Sequence, residues 1–390
     1  MTVGMASTST TTTTTTSASA SASASTSASP SASTSVSAPP SPSPPRQIYS
    51  DQQMEQYLSW LRMGDLAATK AAVQADALAT LTRLQRRTMA KIPYGNLALH
   101  YSPRPRPRPS QSQSPTQTPI QLPGIDTGAG LGLTLDPDAL YTKLVERRLG
   151  GYCMENNTFF GVVLRSLGYR LYPTGARVSN ISVAAGDPGE FGGWTHMINL
   201  VSIDGRKYLV DVGFGRQGTC SPSPLEPGHI MTNVPTSQTT LEYRPIASFS
   251  DPSQKVWVLQ IRDSPDHAWK SAYCLTEVEF LPQDFQVMNY YTSTSRISHF
   301  TYRLMLLKLV LSDDDDDDDN SNNDDAPVGY LILDGNELRR RSLGRKEIVD
   351  VYHSEESRIR GMAEWFDIRL QPEEIAGIRG MVTELRAGGN

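Results

Sequence analysis

Cys153 has the sequence context of a nucleophile. It follows Gly150-Gly151 and opens the stretch Cys153–Leu167, whose apolar residues recur at helical spacing. The start of a helix favours the thiolate, which is the nucleophilic form of cysteine. The two glycines allow a ligand to approach the backbone closely. Most cysteines are small buried apolar residues, so a nucleophile can be assigned only if a base lies nearby.

The candidate base is His196, on the first strand of a predicted β-hairpin. Residues 204–205 are Asp-Gly, a strong signal for a two-residue type I′ turn, and the register of that turn places His196 opposite Gly213. Asp211 then lies diagonally across the hairpin on the same face, within reach of an imidazole–carboxylate hydrogen bond. We expect Gly213 to remove a competing side chain opposite the histidine.

Each of these three residues has a simpler explanation when taken alone: a buried cysteine, a hydrogen-bonded sheet histidine and a charge at a strand end. Their joint placement favours a nucleophile, a base and an orienting carboxylate in the order Cys153, His196, Asp211. Cys220 and Cys274 lack a neighbouring histidine or glycine-rich turn and are interpreted as packing residues. The three cysteines lie far apart in the sequence, and no Cys/His pair has the spacing of zinc ligands, so no metal is predicted.

The elements that must position these residues change character along the chain. Ser50 and Gln53 form a capping box before a helix, a second helix runs from Asp76 to about Lys91, and Asp136-Pro137 starts a third. Strand-like segments follow, and then a mixed region. The predicted strands are Tyr169–Val178, Trp194–Ile203, Arg206–Phe214, Val256–Arg262, Ala272–Phe280, Tyr302–Val310 and Gly329–Asp334, and the later helices lie near Ser354–Phe366 and from Pro372 onwards.

This order predicts an α+β protein of three parts. We expect residues 46–168 to be a helical domain with the nucleophile, 169–280 a strand-rich domain with the histidine and aspartate, and 281–390 a domain of mixed helices and strands. Three segments of biased composition are set apart. They are a disordered tail at 1–45, a flexible insertion at 103–133 and an acidic insertion at 312–326.

Composition excludes several classes of function. The net charge of −5 over 390 residues comes largely from the acidic insertion, so a basic nucleic-acid-binding surface is not predicted. The sequence contains no apolar run of 18 residues, which argues against a membrane span. It also lacks a secretory signal, and three cysteines do not make a disulfide framework. We therefore expect a cytoplasmic protein, as a monomer or weak homo-oligomer.

These residues resemble the arylamine N-acetyltransferase family over about Gln52 to Met381. The motifs that carry the resemblance are GGYCMENN at 150–157, THM at 195–197, YLVDVGFG at 208–215, IPYGNL at 92–97, and the stretch 289–300. The resemblance implies a helical bundle, a β-barrel and an α/β lid around a Cys-His-Asp core like that of cysteine proteases. It also implies ping-pong transfer of an acetyl or related acyl group from acyl-CoA, through an acyl-cysteine, to arylamines or arylhydrazines.

The resemblance also implies the ligand-binding residues. Acetyl-CoA is the expected donor, with malonyl-CoA and propionyl-CoA as alternatives. Phe214 is expected to line the arylamine pocket. The residues expected to border the cofactor are Gly192, Gly193, Thr195, Ser293, Thr294 and Ser295.

Two positions depart from the family pattern. Leu149 replaces the arginine before Gly-Gly-x-Cys, and Gly95 replaces a glutamate. Because both partners of an ion pair are missing together, we expect a folded, active enzyme with apolar packing around Leu149. We also expect Leu149→Arg to destabilise it and an added Gly95→Glu to restore much of the loss.

Two other functions remain open at this point. The same three residues would serve a thiol hydrolase or amide synthase that does not use CoA. A catalytically silent interaction protein would instead use its low-complexity segments to bind partners.

Overall fold

The computed structural model describes residues 46–103, 133–180, 190–312, 325–342 and 344–386. The tail predicted at 1–45 lies outside the described residues, as do nearly all of the insertions predicted at 103–133 and 312–326. The described residues combine helices with two antiparallel sheets, in the order that the sequence predicts. None of the helices in these ranges is both long and apolar enough to cross a lipid bilayer.

The first part is helical, and its helices begin and end where the capping residues predict. Ser50 and Gln53 cap each other's backbone N–H groups. Asp76 accepts from the N–H of Ala79, and Ile92 is extended before proline. The helices are α1 (Asp51–Trp60), α2 (Leu66–Ala75), α3 (Ala77–Lys91), α4 (Leu97–His100), α5 (Pro137–Tyr141), which continues into a π-helical turn (Thr142–Glu146), and α6 (Cys153–Ser166).

Helix α6 is the buried centre of this part. Phe159, Phe160, Val163 and Leu164 are fully buried, and the ring of Phe159 packs edge-on against Tyr57 of α1 with centroids 5.2 Å apart. Burying these side chains on every side fixes the position of the helix start, where the cysteine lies. Gly168, with a φ of +91°, follows the end of the helix as a C′ glycine.

The second part is an eight-stranded antiparallel sheet, a nearly closed barrel. Its strands are β2 (Arg170–Ser179), β3 (Phe191–Ile203), β4 (Arg206–Val210), β5 (Ser223–Pro224), β6 (Met231–Thr232), β7 (Gln238–Arg244), β8 (Val256–Arg262) and β9 (Lys270–Leu275). Their order is β5-β4-β3-β2-β9-β8-β7-β6. The side chains that face inward, including Leu200, Leu209, Leu259 and Tyr273, form a separate apolar cluster.

The third part is a five-stranded sheet with helices at its side. Its first strand, β1 (Tyr94–Gly95), comes from the helical part of the chain and pairs with the strand Met305–Leu311. The sequence did not predict this pairing. The other strands and helices are β10 (Met305–Leu311), β11 (Pro327–Asp334), β12 (Glu337–Ser342), β13 (Arg345–Val351), α7 (Pro282–Thr294), α8 (His299–Tyr302), α9 (Glu355–Phe366) and α10 (Pro372–Gly377).

Two differences from the predicted elements affect the site. The strand predicted at Arg206–Phe214 ends at Val210, because Asp211 and the residues after it bond to side chains instead of continuing the ladder. The prediction of Ala272–Phe280 as a strand extends too far, since β9 ends at Leu275 and Pro282 begins helix α7. Part of helix α7 faces a cleft, so its apolar residues do not follow a clear helical periodicity, and the sequence pattern does not predict the helix.

Candidate active site

Cys153 is the first residue of α6 and is 2 % exposed. The chain before it is held by an exchange of backbone hydrogen bonds, from Gly151 N–H to the carbonyl of Pro93 (3.1 Å) and from Gly95 N–H to the carbonyl of Gly151 (2.9 Å). The thiol points to the carbonyl of Thr195 on β3, 3.7 Å away. Cys153 therefore lies where the helical part meets the barrel.

A buried ion pair stabilises the first turn of α6. Glu155 is 1 % exposed, and its Oε1 lies 2.5 Å from the ammonium group of Lys143, while its Oε2 accepts from the backbone N–H of Tyr152 at 3.2 Å. Burial raises the pKa of Glu155, and Lys143 partly offsets that rise. The carboxylate thus ties the nucleophile's helix to the preceding π-helical turn.

The hairpin brings His196 and Asp211 together. The turn at 204–205 has positive φ values at both residues, and Ile203 pairs with Arg206, which is the predicted register. The imidazole Nε2 lies 2.7 Å from Oδ2 of Asp211, and both side chains are buried. Because Asp211 lies beyond the end of β4, the carboxylate is aimed by its own hydrogen bonds and not by the ladder.

Two residues that sequence reasoning missed hold this carboxylate. Asn157 of α6 donates its amide to Oδ1 of Asp211 at 2.9 Å and to the carbonyl of Met197 at 2.8 Å, and it accepts from Val212 N–H at 3.1 Å. The hydroxyl of Tyr273 donates to Oδ2 at 3.0 Å. Asn157 lies one helical turn after Cys153 on the same face, a spacing that could have found it, whereas Tyr273 on the distant β9 leaves no local signal.

The pair has the electrostatics of an imidazolium beside a carboxylate. Burial alone would lower the pKa of His196, but the carboxylate of Asp211, aided by the nearby Cys153, raises it to about 10. Burial alone would raise the pKa of Asp211, but His196 and the hydrogen bonds from Asn157 and Gly213 lower it. A histidine held in this way keeps its proton near neutral pH and can stabilise a thiolate beside it.

Gly213 serves a different purpose from the one predicted. A Cβ at this position would lie 2.7 Å from the Cα of Cys153 and 2.9 Å from Nδ2 of Asn157. The glycine therefore allows the loop after β4 to pass directly against the start of α6. The predicted position opposite His196 does not occur, since the ladder of β3 with β4 ends at Asn199 and Val210.

Cys153 and His196 line a cleft of about 1140 Å³ between the helical part, the barrel and the second sheet, and the other residues of the site lie behind them. The predicted residues Gly192, Gly193, Thr195 and Phe214 line it. Phe214 also packs on His196, with ring centroids 4.7 Å apart. The other aromatic residues that line the cleft are Tyr94, Trp194, Phe280, Tyr291, Phe300 and Tyr302.

The predicted cofactor residues at 293–295 are not among the described residues that line the cleft. The hydroxyls of Ser293 and Thr294 bond back to the carbonyl of Tyr290, and Ser295 ends helix α7. The flanking residues Thr292 and Ser298 line the cleft instead.

The two departures from the family pattern are accommodated in different ways. Leu149 packs at the edge of the apolar cluster under the second sheet, as expected. A Cβ at Gly95 would lie 2.5 Å from Cδ2 of Leu306 and 2.6 Å from the carbonyl oxygen of Met305, so a glutamate has no room there. The expected rescue of Leu149→Arg by Gly95→Glu is therefore wrong. Arg148 pairs with Asp367 on the surface and does not replace the missing pair.

No group of three or more His, Cys, Asp or Glu side chains within the described ranges is arranged to hold a metal ion.

Comparison with known proteins finds similar acyltransferases. Residues 124–315 match a family model described as N-acetyltransferase. The chain is 33 % identical over 328 residues to an N-malonyltransferase FDB2 of Gibberella moniliformis, covering 81 % of this chain and 84 % of that protein. It is 34 % identical over 168 residues to an arylamine N-acetyltransferase of Mycolicibacterium smegmatis, covering 43 % of this chain and 56 % of that protein.

The fold is also shared with a solved structure. The Mycobacterium marinum arylamine N-acetyltransferase in complex with CoA superimposes with a TM-score of 0.59 at 24 % identity, covering 84 % of this chain and 99 % of that one. The fold and the relatives together define an acyltransferase. The chain belongs to the arylamine N-acetyltransferase family, which confirms the resemblance that its motifs suggested.

Proposed function

We propose that this enzyme transfers an acyl group from acyl-CoA to an arylamine or arylhydrazine through a thioester on Cys153. The observation that carries the proposal is the position of Cys153, at a helix start inside the cleft and beside the buried His196–Asp211 pair. A thiol, a base and an orienting carboxylate in this arrangement form an activated nucleophile.

In the resting site, Nδ1 of His196 already holds the proton of the Cys153 thiol, since Nε2 is engaged by Asp211, so the first half-reaction begins from a thiolate–imidazolium pair. The thiolate attacks the carbonyl carbon of the CoA thioester and forms a new carbon–sulfur bond. The bond to the CoA sulfur then breaks, and CoA leaves with the proton returned from the imidazolium. Backbone N–H groups in the first turn of α6, including that of Cys153, are available to the developing oxyanion because such groups lack an intrahelical acceptor.

In the second half-reaction, the amine nitrogen attacks the carbonyl carbon of the acyl-cysteine. The nitrogen–carbon bond forms, the bond to Sγ breaks, and His196 takes the proton that the amine loses. The cleft supports an aromatic acceptor because aromatic rings line it close to the thiol, with Phe214 packed on the imidazole itself. Phe214 is accordingly proposed as a wall of the acceptor pocket.

The donor is proposed to be an acyl-CoA. Gly192, Gly193 and Thr195 line the same cleft as Cys153. The two glycines have no side chains that would obstruct the pantetheine arm there. One relative is named for malonyl transfer, another for arylamine acetylation, and the related Mycobacterium marinum structure contains CoA. Acetyl-CoA and malonyl-CoA are therefore the donors to test.

Intact-protein mass spectrometry tests the proposal. The full chain is incubated with acetyl-CoA or malonyl-CoA alone, and we expect one acyl group per chain, located on Cys153 by peptide mapping and absent from Cys153→Ala. Addition of an aniline derivative should remove the group and yield the amide. An unmodified Cys153 with both donors would contradict the proposal. CoA release at the same rate without any amine would indicate a thioester hydrolase.

A further inference from the structure

Arg216 stands out among the charged residues of the cleft. It follows Phe214 and Gly215 in the loop after β4, and its half-buried side chain lines the same cavity as Cys153. Among the described residues it makes no hydrogen bond. Its nearest carboxylate is that of Asp263, at 3.8 Å, which is longer than a hydrogen bond.

Asp263 cannot fully compensate this cation, because a second arginine shares it. Arg341 lies 3.2 Å from the same carboxylate oxygen and donates a hydrogen bond to it. Burial and the charge of Arg341 lower the pKa of Arg216, and Asp263 only partly opposes them. Two guanidinium groups over one carboxylate leave an excess positive charge at the cleft wall.

The other cations of the cleft have carboxylate partners. Arg303 is held by both oxygens of Asp334, and Arg339 bonds to Glu337 with Asp334 also within 3.5 Å. Arg216 thus differs from them in having its donors available. A partly buried guanidinium with free donors is suited to a carboxylate or phosphate, which it can bind with two parallel hydrogen bonds.

The chain itself places Arg216 at the nucleophile's end of the cleft. Gly213 packs directly against the backbone of Cys153, and three residues of chain span at most about 10 Å. The extended arginine side chain can therefore reach an anion carried on an acyl group at Sγ. A malonyl group ends in a carboxylate two bonds beyond its thioester carbonyl, whereas an acetyl group has no charge.

We propose that Arg216 binds the free carboxylate of a dicarboxylic acyl donor and makes this enzyme selective for malonyl-CoA over acetyl-CoA. This inference rests on the proposed acyl transfer through Cys153 and adds the chemical class of the donor. The carboxylate takes no part in bond making or breaking, and Arg216 acts by holding it while the thiolate attacks the thioester carbonyl. The alternative source of the anion, a phosphate of CoA itself, is common to both donors and is separated by the test.

The test compares the rates at which acetyl-CoA and malonyl-CoA acylate Cys153, followed by quenched-flow mass spectrometry of the full chain. We expect wild type to prefer malonyl-CoA and Arg216→Gln to lower the malonyl-to-acetyl ratio of rate constants by about 10- to 100-fold, the range for one charge-assisted bidentate contact. Arg216→Lys should retain part of the preference. The matched control is Arg303→Gln, which removes a cleft arginine that is already held by both oxygens of Asp334 and should leave the ratio near wild type.

Three results would overturn the inference. The two rate constants could fall together in Arg216→Gln, which would assign the arginine to a CoA phosphate. The ratio could stay the same in both Arg216 variants, or Arg303→Gln could lower it equally, which would indicate a general effect of charge in the cleft. If Arg216→Gln fails to fold, Arg216→Lys still decides between these results. A wild-type enzyme acylated by acetyl-CoA only would overturn this inference alone, whereas one acylated by neither donor would overturn the proposed function.

Discussion

The floor and the rim of the cleft differ in burial and in hydrogen bonding. We define the floor as Cys153, His196, Asp211, Asn157 and Tyr273. These residues are at most 2 % exposed, and both oxygens of the Asp211 carboxylate accept hydrogen bonds from other elements of the fold. A buried network of this kind permits one geometry, because each broken bond would leave an unsatisfied polar group.

The rim consists of Val287, Tyr291, Ile297 and Tyr302. Val287 and Ile297 are 72 % and 79 % exposed, although they are apolar and line the cleft. Exposed apolar side chains can contact ligands of several shapes, since dispersion and apolar burial are not directional. We therefore expect the floor to determine the chemistry of the proposed acyl transfer and the rim to determine which acceptors are tolerated.

The largest effect is expected from Asp211→Asn, which changes the floor while keeping its shape. Loss of the carboxylate charge removes the main cause of the raised pKa of His196 and the acceptor that orients its ring. The rate of Cys153 acylation should fall by about 10²- to 10⁴-fold. Alkylation by iodoacetamide at pH 6 should slow as well. A variant with a normal acylation rate would show that the carboxylate does not act on the nucleophile.

The support beneath the floor is tested by Lys143→Met. This change leaves the buried Glu155 carboxylate without its cation, and breaking a buried pair in this way typically costs about 3–5 kcal/mol of unfolding free energy. Denaturant unfolding measures the loss. The matched control is Arg360→Met, which breaks an exposed pair with Glu356 and should cost about 0.5 kcal/mol or less. Equal costs for the two variants would contradict a structural role for the Lys143–Glu155 pair.

A smaller loss is expected from Gly213→Ala. The added Cβ would lie 2.7 Å from the Cα of Cys153, and neither backbone can yield without moving the thiol. We expect a loss of about 1–3 kcal/mol in unfolding free energy together with slower acylation. Gly193→Ala is the control for stability, because a Cβ there meets nothing within 4 Å. An unchanged acylation rate in Gly213→Ala would show that the close approach does not position Cys153.

The charge state of the floor predicts how stability depends on pH. The pKa of His196 is raised in the folded state to about 10, so its protonated form stabilises the fold. That contribution is complete below the unfolded pKa of about 6.5 and is lost as pH rises towards 10. The unfolding free energy of wild type should therefore fall by about 3 kcal/mol more than that of His196→Gln between pH 6.5 and 9. Parallel pH profiles would contradict the raised pKa.

The smallest effect is expected at the rim, from Ile297→Ser. Losing part of an apolar contact with the acceptor should raise the KM for an aniline derivative about three- to tenfold, while acylation by the CoA donor stays within about twofold. The control is Ile348→Ser, an exposed isoleucine on β13 that does not line the cleft. A large loss of acylation in Ile297→Ser would mean that the rim also shapes the floor.

Local sequence patterns determined the elements and part of the floor. The glycines before Cys153 and the apolar stripe of α6 place the nucleophile at a helix start. The turn at 204–205 fixes the register of β3 against β4 and thereby brings His196 and Asp211 to the same end of the hairpin. These signals act over short stretches of chain, where capping, periodicity and turn geometry leave few alternatives.

The tertiary structure alone decided the rest of the floor and the residues that surround it. Tyr273 reaches Asp211 from a strand 62 residues away, and Gly213 is required by the backbone of Cys153 and not by the residue opposite it in the hairpin. The excess positive charge at Arg216 arises because it shares the carboxylate of Asp263 with Arg341, which lies far along the chain. Such contacts join residues whose sequence separation carries no periodic signal. They become fixed only when the barrel and the second sheet pack against α6, because burial, and not local backbone preference, selects the partners.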